Sequence, residues 1–418
     1  MKAGPESVTA RSAAVGILNA VLGEGMMLSQ VTQRGEAFGA LAGPDRARAE
    51  RLATQVLRQL ERIDRVLRPL LRKAPPLAVL NILRLAVYER SEGAAAHGVV
   101  NEAVGLARRG KRTTHLSGLV NAVLRALPDP VDLAALPAPQ MPRWIRQPLV
   151  HAYGREVVAA IEAVQAEVPP LDITPKAGAV AVPDGAVLPS GSIRLTHPGQ
   201  ITQAPGYASG DWWVQDAAAA MAVRLMAVQP GARVLDVCAA PGGKTLQLAD
   251  AGAEVTALDI SGPRMARVEE NLARTGLTAQ MVVADALHWQ PEAPFDAILL
   301  DAPCSASGTL RRHPDLQHIK DGSEVAGLVA LQAQLLDRAL GWLKPGGLLA
   351  YCTCSLLPAE GEAQLTAALQ RHPDLRVEPP AAPWLPTDWV TPQGGLRLRP
   401  DYWGGMDGFF IALLRAPN

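Results

Sequence analysis

The chain has 418 residues, of which 48% are hydrophobic and 19% charged, so extensive disorder is excluded and two or three domains are expected. No apolar run reaches the ~18 residues that a membrane span needs, and the first residues lack the apolar stretch of a signal peptide, which predicts a soluble, cytoplasmic protein. The net charge is zero, but residues 1–130 contain 19 basic against 11 acidic side chains, and the remainder contains 21 against 29. This basic part indicates an anionic partner such as nucleic acid, although a helical domain with a solvated basic surface would have the same composition.

Residues 1–130 are predicted to form an all-helical domain. Asp45 is the predicted N-cap of a long helix, because apolar residues recur at steps of three and four over residues 52–70. Residues 77–87 are apolar on every side, which is typical of a helix buried among others. Further apolar segments over residues 99–124 predict two more helices.

A dense basic turn lies between these last two helices. It places four cations within five residues, and such a run is often no more than a solvated loop. Inside an already basic domain, however, the same run suits contact with the phosphates of a nucleic acid. The predicted RNA-binding side chains of this turn are Arg108, Arg109, Lys111 and Arg112.

A linker and a small subdomain are predicted next. Five prolines between positions 128 and 142 indicate the linker. Residues 143–205 combine one predicted helix, over residues 147–166, with short apolar fragments and turn signals. This combination favours a small α+β subdomain.

From residue 210 onward, short apolar runs alternate with helical segments, which predicts an α/β domain with a doubly wound parallel sheet over residues 210–418. Ligands of such sheets bind beyond the carboxyl ends of the strands. Helices are predicted over residues 263–275 and 325–343. Strands are predicted at residues 234–237, 255–259, 281–283, 297–301 and 348–351, with an edge strand at residues 409–414.

Acidic residues stand at or just beyond the ends of four successive strands: Asp236, Asp259, Asp285 and Asp301. One such acid is usually a turn or helix-cap residue, but four in one sheet favour hydrogen bonds to a nucleoside. Asp259 lies 23 positions after Asp236, near the interval at which an acid meets the ribose in nucleotide-binding units.

The loop after the first of these strands contains small residues and two glycines, which let the backbone approach a ligand closely. A phosphate-binding loop would need glycine in place of Cys238, and the dinucleotide pattern G-x-G-x-x-G is absent. A nucleoside cofactor without a pyrophosphate fits better, and we predict S-adenosylmethionine. The predicted cofactor loop comprises Cys238, Ala239, Ala240, Pro241, Gly242, Gly243 and Lys244.

All four cysteines lie in one stretch of the C-terminal half, and none has the spacing of a zinc site, so no metal is predicted. Cys304 follows the fourth predicted strand, and Cys354 follows the fifth. Cys352 lies inside a strand and is predicted to be a small buried residue. Because the loops of Cys304 and Cys354 open onto the same crevice, we predict that this pair performs chemistry.

Together these motifs resemble those of the RNA cytosine-carbon-5 methyltransferases, which use S-adenosylmethionine. The N-terminal domain is similar to NusB, an RNA-binding fold, and the combination is similar to bacterial enzymes that methylate small-subunit (16S) ribosomal RNA. The resemblance implies an all-α NusB-like domain, a small α+β RNA-binding subdomain and a C-terminal α/β Rossmann-like class I methyltransferase domain. The motifs that carry it are Gln215-Asp216, the loop at 239–245, Asp259 with Arg264, Asp285, residues 301–305, Gly308-Thr309, residues 311–315, residues 353–355 and residues 407–410.

Carbon 5 of cytosine is a weak nucleophile, and a thiolate that adds to carbon 6 makes carbon 5 reactive enough to take a methyl group. The resemblance assigns this attack to Cys354, and the elimination step or product release to Cys304. Asp301 would hydrogen-bond the base and border the cofactor, and Lys244 is expected to contact the cofactor loop or a catalytic carboxylate. The resemblance also implies cofactor contacts at Asp259, Arg264 and Asp285, and RNA contacts at Arg311, Arg312 and His313.

The target cytidine must be unpaired or flipped out to reach the crevice, and we expect the protein to act as a monomer. Transfer RNA is an alternative substrate, and the NusB-like domain favours ribosomal RNA by analogy alone. A non-catalytic RNA-binding, antitermination-like factor should have lost Cys354, Cys304 or the cofactor acids, and none is missing. An NAD-dependent enzyme would need the glycine fingerprint that this chain lacks.

Overall fold

The computed structural model describes residues 8–34, 36–39, 41–196 and 199–418. These residues form two compact units, which differ from the three predicted parts. The first unit is helical, and the second contains two sheets. The first unit comprises residues 1–147, 155–168 and 310–321, and the second comprises residues 148–154, 169–309 and 322–418.

The helices of the first unit pack around a core of small and branched apolar side chains, of which Leu18, Leu57 and Val87 are fully buried. A capping box starts the first helix, because the side chains of Thr9 and Ser12 each accept the other residue's backbone N–H. The helices in this part of the chain are α1 Ala10–Glu24, α2 Leu28–Arg34, α3 Glu36–Gly39, α4 Gly43–Arg58, α5 Leu60–Leu67, α6 Leu77–Ser91, α7 Ala96–Arg109, α8 Ser117–Arg125, α9 Arg143–Tyr153 and α10 Arg155–Ala166. Residues 148–153 of α9 belong to the second unit.

Three details of the helices differ from the prediction. Ala42 is the N-cap of α4, so Asp45 lies in the first turn of the helix instead of capping it. The helix predicted over residues 52–70 is interrupted at Gln59, whose φ of −99° and ψ of 11° separate α4 from α5. The helix predicted over residues 147–166 is two helices, because Gly154 between α9 and α10 has a φ of +83°, a left-handed value that glycine adopts easily.

The smaller sheet of the second unit is antiparallel, with the order β2-β3-β1-β4 and a core of Ile173, Leu195 and Trp212. Because β4 pairs with β1, the sheet extends beyond the end predicted for the subdomain at residue 205. Asp172 accepts two hydrogen bonds, of 2.8 and 2.9 Å, from the Arg194 guanidinium. The strands are β1 Leu171–Pro175, β2 Gly185–Val187, β3 Ile193–Leu195 and β4 Trp212–Val214.

The larger sheet has the order β10-β12-β9-β8-β5-β6-β7, and β11 pairs with β12. The strands from β9 to β7 in this order are parallel, and each predicted strand of this region is present. The strands are β5 Arg233–Val237, β6 Glu254–Asp259, β7 Gln280–Val283, β8 Phe295–Asp301, β9 Leu343–Thr353, β10 Arg376–Glu378, β11 Leu396–Leu398 and β12 Phe409–Arg415. The remaining helices are α11 Ala217–Met226, α12 Gly243–Asp250, α13 Gly262–Thr275, α14 Leu316–Ile319, α15 Val325–Leu340 and α16 Glu362–Arg371. Of these, α14 belongs to the first unit.

The prediction of an edge strand at residues 409–414 is wrong. β12 pairs antiparallel with β9 on one side and with β10 and β11 on the other. Its side chains are buried from Phe409 to Leu414, as expected for an interior strand with both faces covered. None of the described helices is long and apolar enough to cross a membrane.

Candidate active site

The order of the larger sheet reverses between β5 and β8. The chain runs outward from β5 to β6 and β7, and then crosses to β8 on the other side of β5. At such a reversal the loops after neighbouring strands diverge and leave a crevice at the carboxyl ends of the strands. The loops after β5, β6, β8 and β9 carry most of the predicted cofactor and catalytic residues.

The loop between β5 and α12 lies tightly against its neighbours. Cys238 has a φ of +63° and Gly242 a φ of +103°, and the Ala239 N–H donates to the Leu258 carbonyl of β6 at 3.1 Å. A Cβ atom on Gly242 would lie 3.0 Å from a methyl group of Val268, so both its conformation and its packing favour glycine. The predicted loop, residues 238–244, thus lies at the N-terminus of α12, where the first N–H groups have no partner within the helix.

Asp259 connects the end of β6 to this loop. Its Oδ2 atom accepts the Ala240 N–H at 3.1 Å, and its Oδ1 atom accepts the Ser261 N–H at 2.9 Å. The Arg264 guanidinium lies 3.6 Å from the same carboxylate and also donates to the Ala240 carbonyl. Each carboxylate oxygen has a second lone pair, so Asp259 can still accept hydrogen bonds from a ligand.

An apolar surface lies beside Asp259. Ile260 is 69% exposed, and Val283, which lies opposite Asp259 in the register of β6 and β7, is 56% exposed. Asp285, whose side chain is 39% exposed, accepts the Leu287 N–H at 2.9 Å. Two exposed apolar side chains and a partly exposed carboxylate suit a flat heterocycle with an amino group, so the residues present fit the nucleoside part of S-adenosylmethionine.

Asp236 lies beneath the loop and is fully buried. Its Oδ2 atom accepts the Thr245 hydroxyl at 2.6 Å, whereas its Oδ1 atom has no hydrogen-bond partner. Burial raises the pKa of Asp236 to about 7, because water no longer stabilises the charged form. The residue therefore supports the loop from within the sheet and does not present its carboxylate to a ligand.

Lys244 and Asp301 form an ion pair of 2.8 Å between α12 and the end of β8. Burial alone would lower the pKa of Lys244, but the Asp301 carboxylate raises it above its ordinary value, so the lysine stays charged. The Lys244 side chain is 9% exposed and that of Asp301 30%. Of the two contacts expected for Lys244, the structure therefore has the one with Asp301, the carboxylate that the resemblance predicts to be catalytic.

The two loop cysteines are brought together. The sulfur atoms of Cys304 and Cys354 lie 3.4 Å apart, and both residues are partly exposed. The hydrogen bond with Cys354 and burial raise the pKa of the Cys304 thiol well above its usual value, so Cys304 keeps its proton. Cys352 is fully buried, which confirms its predicted role as a small core residue.

Close backbone contacts join the two cysteine loops. The Gly308 N–H donates to the Cys354 carbonyl at 3.0 Å, and the Gly408 N–H donates to the Gly308 carbonyl at 2.8 Å. A Cβ atom on Gly308 would lie 2.0 Å from the Gly408 carbonyl oxygen, so no larger residue fits there. These contacts explain why glycines occur in the motifs at positions 308 and 408.

Sequence reasoning missed Glu360, the buried carboxylate that contacts both cysteine loops. Glu360 is 0% exposed and accepts hydrogen bonds from the hydroxyls of Ser305 and Ser355, the residues that follow the two cysteines. The sequence signal for such a residue was the repeated Cys-Ser pair at 304–305 and 354–355. If both serines are buried beside the predicted site, their hydroxyls require a nearby hydrogen-bond acceptor.

The predicted RNA-binding cations differ in their exposure. All four cations of the turn at 108–112 are exposed, as are Arg312 and His313. Arg311, in contrast, is 1% exposed, and its carbonyl accepts a hydrogen bond from Arg58 within the first unit. Its guanidinium therefore does not lie on the surface that an RNA backbone would contact. No cluster of three or more potential metal ligands occurs within the part of the chain that the structure describes.

Known proteins share both units. Residues 223–415 match the family model described as 16S rRNA methyltransferase RsmB/F, and residues 8–129 match the NusB family. The chain is 36% identical to ribosomal RNA small subunit methyltransferase B of Vibrio cholerae, over 88% of this chain and 89% of that protein. It is 35% identical to the protein of the same name from Xanthomonas campestris pv. campestris, over 97% of both. The crystal structure of PH0851, 23% identical, has the same fold, with a TM-score of 0.73 over 98% of this chain and 100% of that one. The predicted resemblance is therefore confirmed, and the chain belongs to the RsmB/F family of 16S rRNA methyltransferases.

Proposed function

We propose that the chain transfers a methyl group from S-adenosylmethionine to carbon 5 of a specific cytidine in 16S ribosomal RNA, through a covalent adduct between Cys354 and carbon 6. The observation that carries this proposal is the contact of 3.4 Å between the sulfurs of Cys304 and Cys354. The 2.8 Å ion pair of Lys244 with Asp301 lies on the loops of the same sheet edge. This set supplies a nucleophile, a proton-bearing thiol and a carboxylate for the base.

The cofactor would be held by the β5–α12 loop, by Asp259 with Arg264, and by the apolar surface of Ile260 and Val283. Asp285 is proposed to accept a hydrogen bond from the adenine amino group. When bound, the cofactor supplies an electrophilic methyl group on a sulfonium. The protein residues around it orient that methyl group and exclude water.

Cys354 would begin the reaction by forming a bond from its thiolate sulfur to carbon 6, which moves the ring electrons toward nitrogen 3. The Asp301 carboxylate, which pairs with Lys244 at 2.8 Å, is proposed to accept a hydrogen bond from the exocyclic amino group of the cytosine and so to orient the ring. Carbon 5 would then take the methyl group, and the electron pair of the broken bond would stay on the sulfur of the methyl donor. Transfer of the carbon 5 proton to a base would let the bond between carbon 6 and the Cys354 sulfur break, and its electron pair would return to Cys354 as the thiolate.

Cys304 is proposed to act in this last phase, in the elimination of the adduct or the release of the product. Its raised pKa keeps its proton beside the Cys354 sulfur. A protonated thiol at this distance can stabilise the departing thiolate by hydrogen bonding. The two sulfurs therefore have different tasks, although they lie side by side.

The substrate would be bound through its phosphates by the exposed cations of the first unit, of which Arg108, Arg109, Lys111 and Arg112 form the densest group. A thiol attacks carbon 6 from the face of the ring, and that face is covered by stacked neighbours in a duplex. The target cytidine must therefore be unpaired or flipped out of its stack.

Two alanine variants test the roles of the cysteines. Cys354→Ala is expected to abolish both turnover and any covalent RNA adduct. Cys304→Ala is expected to let an adduct accumulate as a slowly migrating band on a denaturing gel. Swapped phenotypes would contradict the assignment of the two roles. The covalent mechanism itself would be contradicted if neither the variants nor the wild type formed an adduct with RNA that contains 5-fluorocytidine.

The substrate is tested in cells. Bisulfite sequencing of RNA with and without this protein is expected to reveal one cytidine of 16S ribosomal RNA whose protection from deamination depends on the protein. Protection that appears in transfer RNA instead would overturn the ribosomal assignment and leave the chemistry in place.

A further inference from the structure

Glu360 is the last residue of a short helical turn between β9 and α16, and its surroundings fix it from all sides. Its Oε1 atom accepts the Ser305 N–H at 2.9 Å and the Gln332 amide at 3.0 Å. Its Oε2 atom accepts the hydroxyls of Ser305 at 2.5 Å and Ser355 at 2.6 Å. Its four donors are neutral, and together they replace the water that a buried carboxylate loses.

The backbone of Glu360 is held as firmly as its side chain. Its carbonyl accepts the hydroxyls of Tyr351 at 2.9 Å and Thr353 at 3.1 Å, both from the buried end of β9. Hydrogen bonds therefore restrain both the main chain and the side chain of Glu360.

The contacts of Glu360 surround the Cys304 residue. The same Gln332 amide that donates to Glu360 also donates to the carbonyl of Pro303 at 2.8 Å. The peptide groups on both sides of Cys304 are therefore held, one through Pro303 and the other through Ser305. Because peptide groups are planar, these contacts restrict the direction in which the Cys304 thiol points.

A second set of contacts holds the Cys354 loop. The Ser355 hydroxyl, which donates to Glu360, accepts the Leu357 N–H at 3.0 Å and lies 3.0 Å from the Ser307 hydroxyl. The Ser307 hydroxyl accepts the Leu356 N–H, also at 3.0 Å. The turn that follows Cys354 is thus bound to the turn that follows Cys304 through buried hydroxyls that converge on one carboxylate.

We propose that Glu360 is a positioning residue that holds the Cys304 and Cys354 loops in register, so that their two sulfurs stay within contact distance during methyl transfer. This inference rests on the proposed function, because the contact matters only if both thiols act on one base. Glu360 does not touch the reacting atoms and acts through Ser305 and Ser355. A loss of register would slow both the attack and the elimination.

Three variants separate positioning from simple stabilisation. Glu360→Ala removes all four acceptor contacts, whereas Glu360→Gln keeps the shape and one carbonyl acceptor. Glu378→Gln is the matched control. Glu378 lies on the outer strand β10, its side chain is 42% exposed, and it pairs with Arg415 of β12 and not with either cysteine loop. Thermal unfolding of each variant reports stability separately from the two readouts below.

The first readout does not need methyl transfer. Phenylarsine oxide binds two neighbouring thiols at once, so its retention by the full-length protein reports the distance between Cys304 and Cys354, with Cys304→Ala as the reference for a single thiol. We expect Glu360→Ala to retain the arsenical at least about tenfold more weakly than the wild type and the Glu378→Gln control, and Glu360→Gln to lie between them.

The second readout is kinetic. Glu360→Ala is expected to lose about 100-fold in kcat with little change in KM for RNA or S-adenosylmethionine, and Glu360→Gln to recover about tenfold of that loss. If Glu360→Ala unfolds at a lower temperature but keeps the wild-type kcat per folded molecule and the wild-type arsenical retention, the inference is wrong. A wild-type protein that binds the arsenical but methylates no RNA would contradict the proposed function and not the positioning role.

Discussion

Asp236 offers a quantitative test of the electrostatics beneath the cofactor loop. Its carboxyl group is fully buried, and one of its oxygens has no hydrogen-bond partner. Burial raises its pKa from 3.8 to about 7, with the Thr245 hydroxyl and Lys244 opposing that effect. Replacement by asparagine removes the ionisation while it preserves the size of the side chain and its ability to accept from Thr245.

The size of the effect follows from the two pKa values. A carboxyl with a raised pKa in the folded state stabilises the fold fully below pH 3.8, and this contribution is lost as the pH rises toward 7. One pKa unit corresponds to about 1.4 kcal/mol, so the total loss is at most about 4 kcal/mol. Between pH 5 and pH 8, the free energy of unfolding of the wild type should fall by about 3 kcal/mol relative to that of Asp236→Asn.

Urea unfolding of the full chain at both pH values, followed by tryptophan fluorescence, measures this difference. Seven of the eight tryptophans lie at position 212 or beyond, so the signal reports mainly the second unit. Asp374→Asn, which changes an exposed acid in the same unit, is the control; because it keeps Asp236, its stability should fall between pH 5 and pH 8 as that of the wild type does. The reasoning is refuted if the difference between the wild type and Asp236→Asn is the same at pH 5 and pH 8, or if the wild type gains stability relative to the variant at pH 8.

Two further predictions concern RNA binding and the thiols. Reversing the charges of the four cations at 108–112 should weaken RNA binding. It should also reduce the slope of the logarithm of the binding constant against the logarithm of the salt concentration by about 3, because each of four phosphate contacts with a single strand releases about 0.7 counterions. The double variant Arg72→Glu/Lys73→Glu, which changes an exposed basic pair elsewhere in the same unit, should change the slope less, and equal slopes would exclude the turn as a phosphate site. Cys354→Ala removes the contact that raises the pKa of Cys304, so iodoacetamide should modify Cys304 faster at pH 8 than in the wild type. Peptide mapping by mass spectrometry measures this rate, and a slower or unchanged rate would show that burial alone sets the reactivity of Cys304.

The larger sheet was predictable because its strands carry their own signal. A parallel strand that is buried on both faces is apolar throughout, and a run as short as residues 297–300, with Pro294 before it and Pro303 after it, favours a strand over a buried helix. The strand ends were predictable for a related reason, since an acid or a cysteine directly after such a run lies at the rim of the sheet. Cys304 and Cys354 are 50 positions apart in the sequence, yet they lie on the loops that follow two adjacent parallel strands, β8 and β9.

The features that escaped prediction depend on contacts distant in the sequence or on single backbone angles. The break at Gln59 lies inside a continuous apolar pattern, so periodicity alone could not detect it. The interior position of β12 follows from its pairing with β10 and β11, which are three residues each and too short to recognise. Glu360 has an ordinary loop sequence around it, and its importance appears only when Ser305 and Ser355 converge on it.

The motif at residues 311–315 carries the family resemblance, but not all of its side chains are available for the RNA contacts that the resemblance implies. The resemblance assigned its cations to RNA, but only Arg312 and His313 are exposed. Asp315, at the end of the run, is 3% exposed and accepts the Leu28 N–H at 2.9 Å, and His318 in α14 contacts the Leu57 carbonyl at 3.0 Å. These contacts lie within the first unit, although Cys304, in the second unit, is only six residues before Leu310, where this segment of the first unit begins. The hydrogen bond to the Leu28 N–H therefore explains the acid at position 315 without any contact to RNA. Because Arg311 is buried, the exposed turn at 108–112 has more cations available for the predicted phosphate contacts than the run at 311–315 has.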